Sequence, residues 1–443
     1  MLKVNNLRYT DGGGRKLLGP LSFDLPAHQR LIVKGPSGSG KTTLCRILGG
    51  RLPSAIAVRF KGADYYGGTV DASSPVAVTA HYLHHQARDH FFGATLSELF
   101  IGNREQAQEA LESVGLTPDL LARDPFTLSS GEAVRARLAQ LMSDDRAGFM
   151  VLDSPWCHID PSDREPLSEI FLAKVLEVGA VIESESAATV QGAAPTESVE
   201  LTAAHKRFDY GPLLDSLGAS DHLDDEDYLA PWSLSCDFAI GERNSRFHLM
   251  GTVPVRPGIT WIYGKNGTGK STLMRAGAGL PPHPLGKVVI IDHSSRAVDL
   301  ARVGYIEPSL PFDEAQLEKA VFQLVGTHAT LLRRLLATGA PGRRQRNNAF
   351  EGIMTAVLLN AALGKTLIFL DEPFQEVCQE EVAALVQLFR RTARRLKLRI
   401  CIASHLSVLP READEALWRL SLNESHGAGR LSGIEEVHRS GSR

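Results

Sequence analysis

Cysteine is scarce in this sequence. Five residues (Cys45, Cys157, Cys236, Cys378 and Cys401) are scattered along 443, with no CxxC pair. That pattern excludes a disulfide framework and a cysteine-built zinc site, and it fits reduced thiols in a cytoplasmic chain. Long apolar runs are missing too: none approaches the ~20 residues needed to span a bilayer. The opening MLKVNNLRYT has no apolar centre of the kind a leader peptide carries. A membrane role is therefore expected to come through partners. An excess of one charge sign is also absent, since the formal net charge is −3, so nothing draws the whole chain to nucleic acid. The basic run RRTARRLKLR (Arg390 to Arg399) reads as a solvated helix face, with an anionic partner as the alternative.

What is present is length and repetition. A chain of 443 residues with 43% hydrophobic content exceeds one ordinary domain and can fill two or three cores. LIVKGPSGSGKTTLCRILGG (Leu31 to Gly50) matches TWIYGKNGTGKSTLMRAGAG (Thr260 to Gly279). Each is followed downstream by an apolar strand ending in Leu-Asp, in FMVLDSP and LIFLDEP, and then by a helical segment and a second strand, GAVIESES or RICIASHL. The period is too long for a solenoid, so the repeat is a duplicated domain. Short β-branched strands alternating with longer helices predict an α/β fold with a mainly parallel sheet in each copy. The acidic GASDHLDDEDYLAPW (Gly218 to Trp232) reads as an exposed linker. The expected division is a first domain over 1–204, a linker over 205–230 and a second domain over 231–443.

The repeated glycine pattern is G-x-x-x-x-G-K-[ST]: Gly35, Gly40, Lys41 and Thr42, then Gly264, Gly269, Lys270 and Ser271. Each copy follows an apolar strand and opens a helix, which is the context of a phosphate loop. Backbone N–H groups along Gly35, Ser37, Gly38, Gly40 and Thr43, and along Gly264, Asn266, Gly267, Gly269 and Thr272, can close around a β-phosphate. Lys41 and Lys270 reach the β- and γ-phosphates, while Thr42 and Ser271 ligate Mg²⁺. Asp153 and Asp371, at the apolar strand ends, support the same ion. ATP and Mg²⁺ are the expected cofactors.

Between the first loop and Asp153 lies DPFTLSSGEAVRARLAQLM, whose Leu128-Ser129-Ser130-Gly131-Glu132 resembles the LSGGQ signature of the ATP-binding cassette (ABC) family. With the two phosphate loops, the resemblance spans nearly the whole chain as two cassettes. It implies two P-loop domains, each a mainly parallel sheet with helices plus a helical subdomain carrying the signature. Gln86, in YLHHQARDHFFGATLSELF, falls where the family keeps its Q-loop glutamine, a further Mg²⁺ contact. That segment most resembles the ATPases of energy-coupling-factor type importers. Tyr9 matches the family's adenine-stacking aromatic and Phe238 is a weaker counterpart; either could instead be core. His81, His84, His85 and His90 read as loop or core histidines, because no cysteine or carboxylate joins them at ligand spacing.

In the family, two cassettes pack head to tail and each ATP lies between one cassette's phosphate loop and the other's signature. The resemblance therefore implies an intramolecular head-to-tail cassette dimer. The second copy keeps the cis chemistry: Glu372 after Asp371 as catalytic base, and His405 as the switch histidine, acting with Lys270. In the first copy Ser154 replaces the glutamate and Glu185 stands about where the histidine should be. The trans elements are reversed. The first copy keeps Ser129, Ser130, Gly131 and a D-loop aspartate, Asp160, whereas the second has Cys378 at that offset. Asn348 and Glu351 resemble a helix-capping box, as Ser129 and Glu132 do, but Phe350 takes the glycine's place, where its ring would obstruct a phosphate. The second copy offers Glu307 in place of the Q-loop glutamine. Because serine is no carboxylate base, one site should hydrolyse ATP and the other should mainly hold it.

The resulting expectation is an ATPase (ATP and water to ADP and phosphate) energising an ABC transporter, an importer. It would sit at the cytoplasmic face of the membrane through separate integral membrane subunits, with no nucleic-acid partner. The alternative is a soluble ABC ATPase with a ribosome-associated or mechanical role.

Overall fold

The apolar runs that end in the paired aspartates are strands in which every residue is buried, Phe149–Asp153 and Leu367–Asp371. Strands covered on both faces by helices need such unbroken apolar runs, which is why these stretches carry no polar alternation. The computed structural model describes residues 2–10, 16–50, 57–60, 63–66, 69–71, 80–84, 87–100, 102–144, 149–186, 188–190, 196–202, 209–216, 228–240, 247–265, 267–280, 285–307, 349–375, 377–404, 412, 415–423 and 430–436. The chain divides into two units, Met1–Lys206 and Arg207–Arg443.

The first unit runs β1 (Leu2–Thr10), β2 (Lys16–Leu25), β3 (Arg30–Lys34), α1 (Lys41–Leu48), β4 (Ala57–Phe60), β5 (Ala63–Tyr66), β6 (Thr69–Asp71) and β7 (Ala80–His84). It continues through α2 (Arg104–Ser113), α3 (Ser130–Met142), β8 (Phe149–Asp153), α4 (Pro161–Val178), β9 (Ala180–Ser184) and β10 (Thr196–Glu200). Five strands form a parallel sheet in the order β10-β3-β9-β8-β7. A three-stranded antiparallel sheet, β2-β1-β6, packs its apolar side chains with α1 over one face of it. A second core joins α2, α3 and α4 with Leu96, Leu99 and Leu128, giving a helical subdomain of the kind the family resemblance implies.

The second unit runs α5 (Tyr210–Ser216), β11 (Trp232–Ile240), β12 (Phe247–Val255), β13 (Gly258–Tyr263), α6 (Lys270–Gly277), β14 (Leu285–Ile291) and β15 (Val303–Ile306). It continues through α7 (Ala349–Ala362), β16 (Leu367–Asp371), α8 (Gln379–Leu396), β17 (Arg399–Ser404), β18 (Ala416–Asn423) and β19 (Arg430–Glu436). Its nine strands lie in the order β14-β11-β12-β19-β18-β13-β17-β16-β15, with β18, β13, β17, β16 and β15 mutually parallel. Both units are thus α/β domains with strand–helix–strand crossovers around a largely parallel sheet.

Two features depart from the sequence reading. Part of the stretch read as linker is the helix α5, fixed to the second unit: Tyr210 donates its hydroxyl to Glu351 O (3.0 Å), and Arg391 pairs with Asp215. The basic run on α8 is not a uniformly solvated face either. Arg390 is buried against Glu415 (2.6 Å), and Arg399 is buried 4.2 Å from the centre of the Trp232 ring while donating to Tyr228 O and Ala230 O. Buried guanidinium groups need such acceptors or an aromatic face, which a count of charges cannot reveal.

Candidate nucleotide site

In each unit a buried strand, β3 or β13, runs into a glycine loop and then a helix, α1 or α6. Gly40 and Gly269 precede the helices with φ of 98° and 95°, a left-handed conformation that favours glycine. Gly35 is needed for a different reason: a Cβ there would lie 2.4 Å from Leu201 O, so the loop packs directly on the neighbouring strand's backbone. Gly264 meets Leu420 O in the same way. Among the described residues no side chain caps α1 or α6, which leaves their first-turn N–H groups to face an anion. Lys41 Nζ donates to Gly35 O (2.5 Å) and Pro36 O (3.2 Å); Lys270 Nζ donates to Gly264 O (2.7 Å) and Lys265 O (3.3 Å). Both lysines therefore arch over their loops. Ser37, Gly38 and Thr43 lie in the first loop and its helix, and Gly267, Ser271 and Thr272 in the second; Asn266 lies outside the described residues.

The strand-end aspartates come to the loop hydroxyls. Asp153 Oδ1 accepts from Thr42 Oγ1 (3.2 Å) and Ser184 Oγ (2.7 Å), and its Oδ2 accepts from Tyr82 OH (3.3 Å). In the second unit Tyr305 OH donates to Asp371 Oδ2 at 2.8 Å, and the Ser271 hydroxyl also favours the charged carboxylate. Asp371 Oδ1 is buried with no hydrogen-bond donor. Burial first, then the adjacent Glu372 charge, raises the Asp371 carboxyl to about 6. A buried acid beside another acid, with an unused oxygen next to a serine hydroxyl, matches what a hard divalent cation binds. Mg²⁺ therefore fits these residues.

Ser154 and Glu372 follow the two aspartates with φ of 53° and 49°, left-handed values that non-glycine residues rarely adopt. The backbone thus presents the two side chains in the same way, and the sequence pairing of serine with glutamate is a structural equivalence. Glu372 Oε1 lies 3.4 Å from Lys270 Nζ, so the two side chains face each other. The sheet registers also refine the switch position. Val33, just upstream of the first loop, sits opposite Ser184, and its counterpart Ile262 sits opposite Ala403. That makes Ser186 and not Glu185 the counterpart of His405. Likewise Leu83 opposes Leu152 and Ile306 opposes Leu370, so Glu307 corresponds to His84 and is no stand-in for Gln86. Gln86, His85 and His405 themselves lie outside the described residues.

At the signature, Ser129 caps α3: its hydroxyl accepts from Glu132 N (3.2 Å), and Ser129 N donates to Glu132 Oε2 (2.7 Å). This reciprocal box holds Ser130 and Gly131 at the helix start. In the second unit α7 begins at Ala349, just after Asn348, which lies outside the described residues. Phe350 is buried, so its ring is not the exposed obstruction the sequence suggested; the change at that position is the loss of a glycine. Asp160 and Cys378 both occupy the N-cap position of the long helix after the aspartate strand, α4 or α8. Tyr9 and Phe238 are core residues, 6% and 1% exposed within apolar clusters, because their strands turn them inward against the sheet. His81 pairs with Asp144 (3.2 Å), His90 accepts from His84 N (3.2 Å), and His84 lies 3.8 Å from Asp153 Oδ2. Sequence reasoning missed Tyr82 and Tyr305, which brace the two aspartates from neighbouring strands; their matching place in the repeat was the available signal.

The family described as ABC transporter matches residues 18–156. The energy-coupling factor transporter ATP-binding protein EcfA2 of Bacillus cereus is 31% identical over 183 residues, 38% of this chain and 61% of that one. The chain thus spans about three fifths of the length of the EcfA2 relatives it matches. The cytochrome c biogenesis ATP-binding export protein CcmA of Chelativorans sp. (strain BNC1) is 31% identical over 177 residues, 38% of this chain and 84% of that protein. In fold, 97% of the chain superposes on 90% of the archaeal ribosome recycling factor in complex with the stalk protein aP1, with a TM-score of 0.54 and 15% identity. The RNase-L inhibitor gives a TM-score of 0.50 at 14% identity, covering 94% of this chain and 88% of that one. These two likenesses concern the fold alone. The CcmA match extends over most of a single ATP-binding protein, and the phosphate loop and aspartate strand it requires are both in place. This chain belongs to the ABC transporter family of ATP-binding cassettes.

Proposed function

We propose that this chain is the ATP-hydrolysing component of an ABC importer, with one hydrolytic and one degenerate nucleotide site. The observation that carries the asymmetry is the pair Ser154 and Glu372, which share one strained backbone conformation and differ only in chemistry. Lys270 would bind the β- and γ-phosphates, and Glu372 would hold the attacking water and take its proton. Asp371 and Ser271 would hold Mg²⁺, which when bound neutralises charge on the phosphates. The family resemblance would add Ser129, Gly131 and Asp160 of the first half and His405 of the second to that set. The first half's own loop, with Lys41, Thr42 and Asp153, would hold ATP without turning it over, because Ser154 cannot serve as a carboxylate base.

A transport role is supported by the relatives, an importer-type and an export ATP-binding protein, and by Phe92 in the FFGAT segment, which is 59% exposed beside the buried Phe91. No helix among the described residues is long and apolar enough to cross a membrane. In the transporter reading the partners would be separate membrane subunits. The discriminating experiment is affinity purification of the tagged chain from detergent-solubilised cells. Recovery with stoichiometric integral membrane proteins supports the transporter reading, and recovery with ribosomes overturns it.

A further inference from the structure

The two strand-end aspartates are both buried but are not hydrogen-bonded alike. Both Asp153 oxygens are engaged: Oδ1 by Ser184 (2.7 Å) and Thr42 (3.2 Å), Oδ2 by Tyr82 (3.3 Å). Asp371 is engaged at Oδ2 by Tyr305 and its charge is favoured by the Ser271 hydroxyl, while among the described residues no donor lies within hydrogen-bond distance of its buried Oδ1. The difference traces to one sheet position. Ser184 stands opposite Asp153, and in the same register Ala403 stands opposite Asp371. Ser184 Oγ also accepts from Ser154 N (2.9 Å) and lies 3.3 Å from Ser154 Oγ. A hydroxyl has one proton and two lone pairs, so donating to Asp153 and accepting twice from Ser154 saturates it. The group that replaces the catalytic glutamate is thereby locked to the group that fills the aspartate.

We propose that Ser184 is a positioning residue that occupies the Asp153 carboxylate, so that nucleotide held by the first-half loop depends far less on a divalent cation than nucleotide in the second half. A hydroxyl donating to a carboxylate is a charge-assisted bond, and a cation with its water shell must displace it to use the same oxygen. At Asp371 the Ser184 hydroxyl has no counterpart to displace, because Ala403 holds that sheet position. The proposal rests on the reading that the first half holds nucleotide, and the test separates the two.

The test uses the full chain carrying Lys270→Ala, which disables the second-half loop, and measures binding of a fluorescent ATP analogue as Mg²⁺ is titrated from an EDTA baseline. Binding should change little with Mg²⁺. Adding Ser184→Ala, which installs the second-half residue, should make binding Mg²⁺-dependent, with the analogue binding about tenfold more tightly in saturating Mg²⁺ than in EDTA, the scale of one hydrogen bond to a charged group. The reciprocal Ala403→Ser, in a Lys41→Ala chain, should raise half-saturating Mg²⁺ by a similar factor. If Ser184→Ala binds the analogue with an unshifted Mg²⁺ profile, the proposal falls while the holding site stands. If the Lys270→Ala chain binds no analogue with or without Mg²⁺, while the Lys41→Ala chain does, both fall.

Discussion

Ser154 and Glu372 hold the same backbone conformation at the same strand end, so exchanging their side chains tests chemistry with little change of geometry. Glu372→Gln keeps size and removes the base; ATP hydrolysis should drop by roughly 10²-fold or more while nucleotide binding persists, measured by single-turnover assay. Ser154→Glu should not open a second active site, because Ser186 stands where the switch histidine would be and Phe350 replaces the signature glycine; hydrolysis in a chain with both Ser154→Glu and Glu372→Gln should stay at the Glu372→Gln level. Asp371 makes a separate prediction about stability. Its carboxyl is raised from an ordinary 3.8 to about 6, so its charge opposes folding at neutral pH, by about 3 kcal/mol at 1.36 kcal/mol per unit. Asp371→Asn should therefore raise the melting temperature of the nucleotide-free, metal-free chain by several degrees at pH 7, while abolishing Mg²⁺-dependent binding. The sign of the pH dependence follows. A raised acid regains stability as it protonates, so the gap between variant and wild type should close as pH falls from about 6 towards 4. A variant less stable than wild type at pH 7 would show that the site tolerates its charge.

Single elements carry the next set of arguments, and α3 is the clearest. Ser129 and Glu132 satisfy each other's orphan backbone donors, so Ser129→Ala should cost about 1 kcal/mol of stability while Ser129→Asp largely restores it; thermal melts decide this. That capping box was legible in the sequence, as were both phosphate loops and the aspartate strands, because each is a local pattern of glycine, serine or apolar residues. Pairings between distant strands were not. Tyr82 and Tyr305 reach their aspartates across β7–β8 and β15–β16, a contact that no local spacing encodes. The switch position slid by one residue, from Glu185 to Ser186, because only the sheet register fixes it. Tyr9 fits either an adenine-stacking or a core role in the sequence, and only the β1–β2 pairing and the packing of that sheet place it in the core. The basic run from α8 into β17 hid two buried arginines, since a charge count does not say which residues meet Glu415 or the Trp232 ring.

Across the whole chain, the losses sort by half. Residues 1–206 carry Ser129, Gly131 and Asp160 but have Ser154 where residues 207–443 have Glu372, while residues 207–443 have Phe350 and Cys378 at the positions proposed to match Gly131 and Asp160. Each half has its own sheet and apolar core, so each is expected to fold when expressed alone. The cut belongs at 206/207 and not at the end of the acidic stretch, because Tyr210 and Asp215 anchor α5 to the second half and removing them would expose the faces of α7 and α8 that they cover. Separately, the halves should hydrolyse little ATP, and mixing them should restore activity with a dependence on the concentration of the limiting half. Two variant mixtures assign the roles. A Lys41→Ala first half should still restore hydrolysis, since its signature and D-loop are intact, whereas a Glu372→Gln second half should not. If residues 207–443 alone hydrolyse ATP at the full-length rate, the second half does not need the signature that only the first half retains, and the division of labour between the two copies has to be abandoned.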